Sequence, residues 1–283
     1  MILGKIIEKV GEALGLTKFT SIATGGSTTT IVDTALATRY ATNGFKQHIV
    51  IITKTTDGAA PQGEFGLFPT AHWVTATKTF TIPTVSAAVE AGDLYTVIKP
   101  TIPIYELLSQ INVGLGKLDA IALVDTSLTT LNETREYTLP IATKGYEIQD
   151  VKIGNSTTGY FRHTDYLIRR AVGGSTETIV FTTQPPIDLN TPANHTIEIT
   201  YLAKPSVLSV YSDAVSEKYA DELVISQVAL SVLEYHMNKK RLYRNRNWIA
   251  LLSHLQGRLG LALQESPVEV LPAEDRGYHF GEL

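Results

Sequence analysis

The stretch Glu222-Leu223-Val224-Ile225-Ser226-Gln227-Val228-Ala229-Leu230 opens the strongest helical pattern in the chain. Tyr219, Leu223, Leu230, Leu233 and Met237 share one stripe, and Val224, Val228 and Val232 widen it. That period predicts an amphipathic helix over 213–238, with Asp213 or Ser216 able to cap it. A short basic link follows. Asn245 or Asn247 can cap a second helix, in which Trp248, Leu252, Leu255, Leu259 and Ala262 recur at heptad-like spacing. Two helices joined so tightly predict an antiparallel hairpin over 209–264.

Working outward, two more helical stripes stand alone. Ile2, Leu3, Ile6, Ile7, Val10 and Leu14 recur at helical spacing within 1–18, with Gly15 placed to cap the end. In 103–119, Pro103 suits a first turn, and Ile104, Leu107, Leu108, Ile111, Leu115 and Leu118 follow the same period. Asn112, Gly114 and Gly116 make that helix imperfect. Neither helix has a local helical partner. The economical arrangement is therefore an α+β fold: a bundle of about four helices, with two antiparallel β modules inserted and an extended tail over 265–283.

The β modules are predicted at 19–102 and 120–208. All 36 threonines lie between Thr17 and Thr200, and threonine favours strands. The first module holds Thr28-Thr29-Thr30-Ile31-Val32-Asp33, the apolar run His48-Ile49-Val50-Ile51-Ile52-Thr53 and an alternating stretch from Trp73 to Ile82. Asn43-Gly44, a Gly/Pro loop from Asp57 to Gly66, and Ala91-Gly92-Asp93 are its turns. The second has strand candidates at 136–139, 146–153, 160–168, 177–182 and 195–201. They are separated by Gly154-Asn155-Ser156, Gly173-Gly174-Ser175 and Gln184-Pro185-Pro186.

Composition narrows the function classes. The chain has 283 residues, a formal net charge of -4, 43% hydrophobic residues and no cysteine. That apolar content suffices for a core and excludes bulk disorder. Without cysteine there is no disulfide scaffold, Cys-ligated zinc, iron–sulfur cluster or thiol catalysis. The mild charge excludes a dominant polyanion-binding surface but permits a local one. No run of about 18 apolar residues exists, so no membrane partner is expected. The opening carries Lys5 and Glu8 and lacks a cleavage site, so it does not read as a signal peptide. The sequons at Asn132, Asn155 and Asn194 then read as chance.

No chemistry-bearing motif stands out. Gly25-Gly26-Ser27, Gly173-Gly174-Ser175 and Gly114-Leu115-Gly116-Lys117 lack the remainder of a phosphate loop. His48, His72, His163, His195, His236, His254 and His279 show no metal-binding spacing. No Gly-x-Ser-x-Gly elbow is present. Glu133/Glu136 and Asp221/Glu222 read as surface or cap residues. No catalytic residue, metal site or cofactor is expected, and the chain is not expected to be an enzyme.

Charge patterning does stand out. Residues 239–264 carry Lys239, Lys240, Arg241, Arg244, Arg246 and Arg258 and no acid. From 265 onward come Glu265, Glu269, Glu274, Asp275 and Glu282 against Arg276. A solvated link with an acidic tail is the plain reading. The functional one is a pair of docking surfaces: a basic link for phosphates or an acidic partner, and a Pro-bearing tail that orders on binding.

The run from Glu222 to Leu230, then Arg244-Asn245-Arg246-Asn247-Trp248 and Leu255-Gln256-Gly257-Arg258-Leu259 before a Pro-containing tail, resembles head–tail connector (neck or adaptor) proteins of tailed bacteriophages. Thr30-Ile31-Val32-Asp33-Thr34-Ala35-Leu36, with Ala91-Gly92-Asp93-Leu94-Tyr95, is similar to a β module of phage virion proteins. The resemblance implies a virion structural protein of the neck, made in the host bacterial cytoplasm. It implies a homo-oligomeric ring, twelve-fold, that joins portal protein to tail or stopper proteins and lines the passage for double-stranded DNA, held non-specifically. Lys239, Lys240, Arg241, Arg244 and Arg246 would face DNA or a neighbouring subunit. Pro267, Pro272, Arg276, Tyr278 and Phe280 would belong to a portal-docking tail. Two β insertions exceed a minimal adaptor. The alternative is therefore a decoration, fibre-attachment or carbohydrate-binding module with exposed aromatics such as Trp73 or Tyr160.

Overall fold

The computed structural model describes residues 1–36, 40–42, 44–45, 48–56, 72–82, 84–85, 87–131, 134–143, 146–156, 159–170, 177–183, 195–209 and 213–265. The chain forms two compact units, one from Met1–Leu118 with Pro205–Pro267 and one whose described part lies in Asp119–Lys204.

In the first unit, α1 (Leu3–Ala13) buries Leu3, Ile6, Ile7 and Val10 completely. Gly15, at φ +64°, ends it: its N–H reaches Glu12 O at 3.0 Å and the Leu16 N–H reaches Gly11 O at 2.8 Å. This is the Schellman pattern, which uses the left-handed conformation that glycine adopts at least cost. Before α1, Ile2 bridges Ala214, and the Leu3 N–H donates to Asp213 O at 2.9 Å.

Seven strands follow: β1 (Thr17–Ile22), β2 (Gly25–Ser27), β3 (Thr30–Val32), β4 (Ile49–Lys54), β5 (His72–Val74), β6 (Thr79–Thr81) and β7 (Leu94–Ile98). They pair antiparallel as β1-β7-β4 and β2-β3-β6-β5. One core joins both sheets through Ile31, Trp73 and Phe80 from one and Val50, Tyr95 and Val97 from the other. Asp33 is fully buried there and saturated. Ser21 Oγ and Tyr95 Oη each donate to its Oδ2 at 2.6 Å, and the Ala35 N–H donates to its Oδ1 at 2.8 Å. Burial, and then the bond to Asp33, push the Tyr95 hydroxyl far above its usual pKa.

Three more helices complete this unit: α2 (Ile104–Gly116), α3 (Asp221–Lys240) and α4 (Arg246–Glu265). The apparent imperfections of α2 are packing devices. A Cβ on Gly114 would stand 2.8 Å from Val228 Cα, so only glycine lets α2 lie this close to α3. Asn112 brackets Leu208: its Nδ2 donates to Leu208 O at 2.9 Å, and the Leu208 N–H donates to its Oδ1 at 2.8 Å.

The second unit contains β8 (Ile121–Thr129), β9 (Glu136–Thr138), β10 (Glu147–Asn155), β11 (Gly159–Arg162), β12 (Tyr166–Arg169), β13 (Thr178–Phe181) and β14 (Thr196–Ala203). They form two antiparallel sheets, β11-β10-β14-β8 and β12-β13-β9. Ile148, Val151, Ile197 and Ile199 of one sheet share a core with Tyr137, Ile179 and Phe181 of the other, as in a sandwich.

The expected helical bundle with two inserted β modules is not the fold. Among the described residues the protein is mostly β, with four sheets and fourteen strands beside four helices. An apolar stripe states that a helix needs an apolar surface, not that another helix supplies it. Here α1 lies against β4, β1 and β7 as well as α3, and Gly11 accommodates Ile98 of the sheet. α2 and α4 each pack on α3. The predicted start of the third helix also moves: it begins at Asp221 after Ala220, with no side-chain cap, while Asp213 binds Ser209 and Ser216 binds the Lys218 N–H.

Candidate assembly surface at the helical hairpin

α3 is buried around most of its circumference between Leu223 and Met237. It buries Leu223, Val224, Val228, Val232, Leu233 and Met237, together with Ser226, Ser231 and His236. α4 is equally long, yet it buries only Leu255 and Ala262. Trp248, Leu252 and Leu259 of the predicted seam are half-buried. Arg258 fastens the pair, its Nε donating to Glu222 Oε1 at 2.9 Å. Trp248 lies against the His236 ring, with centroids 5.3 Å apart. The rest of α4 faces outward, including Ile249 at 41%, Leu261 at 60% and Leu263 at 50% exposure.

The basic cluster lies at the turn of this hairpin. Lys239 and Lys240 occupy the last turn of α3, where cations complement the helix dipole. Arg241 closes α3 in the left-handed region (φ 54°, ψ 41°). Its N–H reaches Asn238 O at 3.2 Å, and the Leu242 N–H reaches Met237 O at 2.9 Å. Arg244 sits in the link, and Arg246 is the first residue of α4. The Asn245 side chain caps that helix by accepting the Asn247 N–H at 3.0 Å.

The structure brings four of the five predicted cations to one exposed turn and assigns the fifth elsewhere. Lys239 pairs with Glu106 of α2, whose Oε2 also accepts the Tyr235 hydroxyl at 3.3 Å. The hydrogen-bonded Lys239 ammonium holds the Glu106 carboxyl below its usual range, and Glu106 raises Lys239 in return. Lys240, Arg241, Arg244 and Arg246 are exposed and form no salt bridge among the described residues. Arg246 carries its charge at the positive end of the α4 dipole, where a cation is intrinsically disfavoured.

The predicted tail residues Pro267, Pro272, Arg276, Tyr278 and Phe280 lie outside the described residues, as do Asn43, the loop from Asp57 to Gly66, Gly173-Gly174-Ser175 and Gln184-Pro185-Pro186. Trp73, a candidate sugar-binding aromatic, is fully buried, and its Nε1 donates to Tyr40 O at 3.3 Å. Tyr160 and Phe161 are exposed on the edge strand β11. The outward face of α4 escaped the sequence reading. Its signal was present as a second stripe, Ile249, Leu252, Gln256, Leu259 and Leu263, interleaved with the first.

Among the described residues, no group of three or more His, Asp or Glu is placed to hold a metal ion, and no helix is long and apolar enough to cross a membrane. No protein-family model matches the chain, and no curated protein matches it.

Proposed function

We propose that this chain is a structural subunit of a bacteriophage neck, an adaptor that joins portal to tail around the DNA passage and works by assembly rather than turnover. The observation that carries this reading is the α3–α4 hairpin. Its outer helix presents apolar side chains to solvent, and its turn presents four exposed cations that form no salt bridge among the described residues. Exposed apolar side chains on a helix seated by one edge suit subunit contacts. Repeated around a ring, modest contacts give strong attachment. Local cations on a mildly acidic chain suit transient phosphate contact without tight grip. The ring, the portal and tail partners and the virion location belong to this proposal.

Depleting the protein during infection tests it. DNA-filled heads without tails are the expected product, and normal yields of intact tailed particles would sink the assignment.

A second reading, a decoration or carbohydrate-binding module, draws on Tyr160 and Phe161, which leave two aromatic rings open at a sheet edge. Glycan-array binding that disappears in Tyr160→Ala/Phe161→Ala would favour it over the neck role.

A further inference from the structure

The link between α3 and α4 sets an aromatic ring among cations. Its backbone is a β-turn, Leu242-Tyr243-Arg244-Asn245, closed by the Asn245 N–H on Leu242 O at 2.9 Å. Leu242 is half-buried and is tied back to α3 through Met237 O. Tyr243 and Arg244 therefore occupy the two corner positions of the turn. Tyr243 is 51% exposed, and its hydroxyl donates to Asn238 Oδ1. The ring is thus held at its far end while half of it meets solvent.

The charges around this ring sit where they are costly. Arg241 precedes the turn in a left-handed backbone, and Arg246 follows it at the positive end of the α4 dipole. No acidic residue occurs in 235–264. Lys240, Arg241, Arg244 and Arg246 are exposed and form no salt bridge among the described residues. An anion is the complement this turn lacks.

Cations alone accept any polyanion. The ring adds a flat apolar surface next to a guanidinium, and that combination discriminates. The bases of a duplex are already stacked on one another and do not reach it. An acidic peptide has no flat face to lay on it. An unpaired base stacks on such a ring while its phosphates meet the neighbouring cations, as at other single-strand sites.

We propose that the α3–α4 turn binds single-stranded nucleic acid, with a base stacked on Tyr243 and the flanking phosphates held by Arg244, Arg241 and Arg246. The proposal goes beyond the neck reading, which asks only for passing contact with the backbone of a duplex. Either can fail without the other.

Fluorescence anisotropy on the full-length protein tests it with four probes: a short oligothymidylate, an abasic strand of the same length, a duplex of that length and polyglutamate. The abasic strand keeps the phosphates and lacks the bases. The oligothymidylate is expected to bind about tenfold more tightly than the abasic strand, and more tightly than the duplex or polyglutamate. Tyr243→Leu is expected to bring the oligothymidylate down to the abasic level with its salt dependence unchanged. Arg244→Gln is expected to lower the log–log salt slope by about 0.7. Equal binding of the oligothymidylate and the abasic strand overturns the proposal, as does a Tyr243→Leu variant that keeps the preference. Tighter binding of the duplex or of polyglutamate, or no binding of any probe, also overturns it. Tyr243 and Arg244 are exposed, and unchanged circular dichroism verifies that both variants are folded.

Discussion

α3 and α4 are both 20 residues long and lie side by side, yet they answer to different constraints. α3 is enclosed, and its polar residues are absorbed into packing: Ser226 Oγ donates to Glu222, and His236 lies on Trp248. α4 is seated along one edge, and most of its length faces outward. The contrast separates two uses of an apolar residue. In α3 it holds the unit together, and in α4 it is available for something else.

Charge placed in each helix breaks or upholds this contrast. Leu233 is fully buried, so Leu233→Asp is expected to unfold the first unit, at a cost of several kcal/mol. Leu261→Asp should change stability by no more than about 0.5 kcal/mol, because Leu261 is 60% exposed. Urea titrations of both would check this. An equal loss in the two variants would erase the distinction.

A smaller effect is expected where α2 crosses α3. The Gly114→Val side chain must displace Val228, at a cost of about 1–3 kcal/mol, readable in the same titration. Gly116→Val, where an added Cβ meets nothing within 4 Å, is its matched control.

Arg241 sharpens the comparison from the opposite side. Its left-handed backbone suits glycine, so Arg241→Gly should stabilise the fold by about 1 kcal/mol, seen as a raised melting temperature. The same change removes one of four exposed cations, so weaker retention on a polyanion column is expected alongside the higher stability. A cation kept at a strained position points to use of its charge.

The smallest expected effect is pH-dependent. Burial pushes the His236 imidazole below its ordinary pKa, Lys240 and Lys239 add to this, and Glu106 opposes it. The unfolded chain then binds the proton more readily. The stabilising contribution is full above the unfolded value of about 6.5 and is lost as the pH falls through the folded one. His236→Phe should flatten the dependence of the melting temperature over that window.

Much of the local structure was legible in the sequence, because its causes are local. Gly15 ends α1 and Asn245 caps α4 as residue chemistry dictates. The strands around Ile31, Ile51 and Ile199 follow from β-branched runs and alternation. What was not legible is pairing. Nothing in α1 distinguishes a sheet from a helix as its partner, and Asn112 and Gly114 look like defects until Leu208 and Val228 stand opposite them. For the candidate site, the basic turn was visible as a charge run, but the removal of Lys239 by Glu106 depends on a contact between residues far apart in the chain.

The bridge between Ile2 and Ala214 sets an order of events during synthesis. Ile2, just before α1, must wait for more than two hundred further residues before its partner leaves the ribosome, while all seven strands of the second unit lie within Ile121–Ala203 and can pair earlier. Until then the oily side of α1 has no complete seat. A nascent chain stalled before residue 214 would be the form most in need of a chaperone.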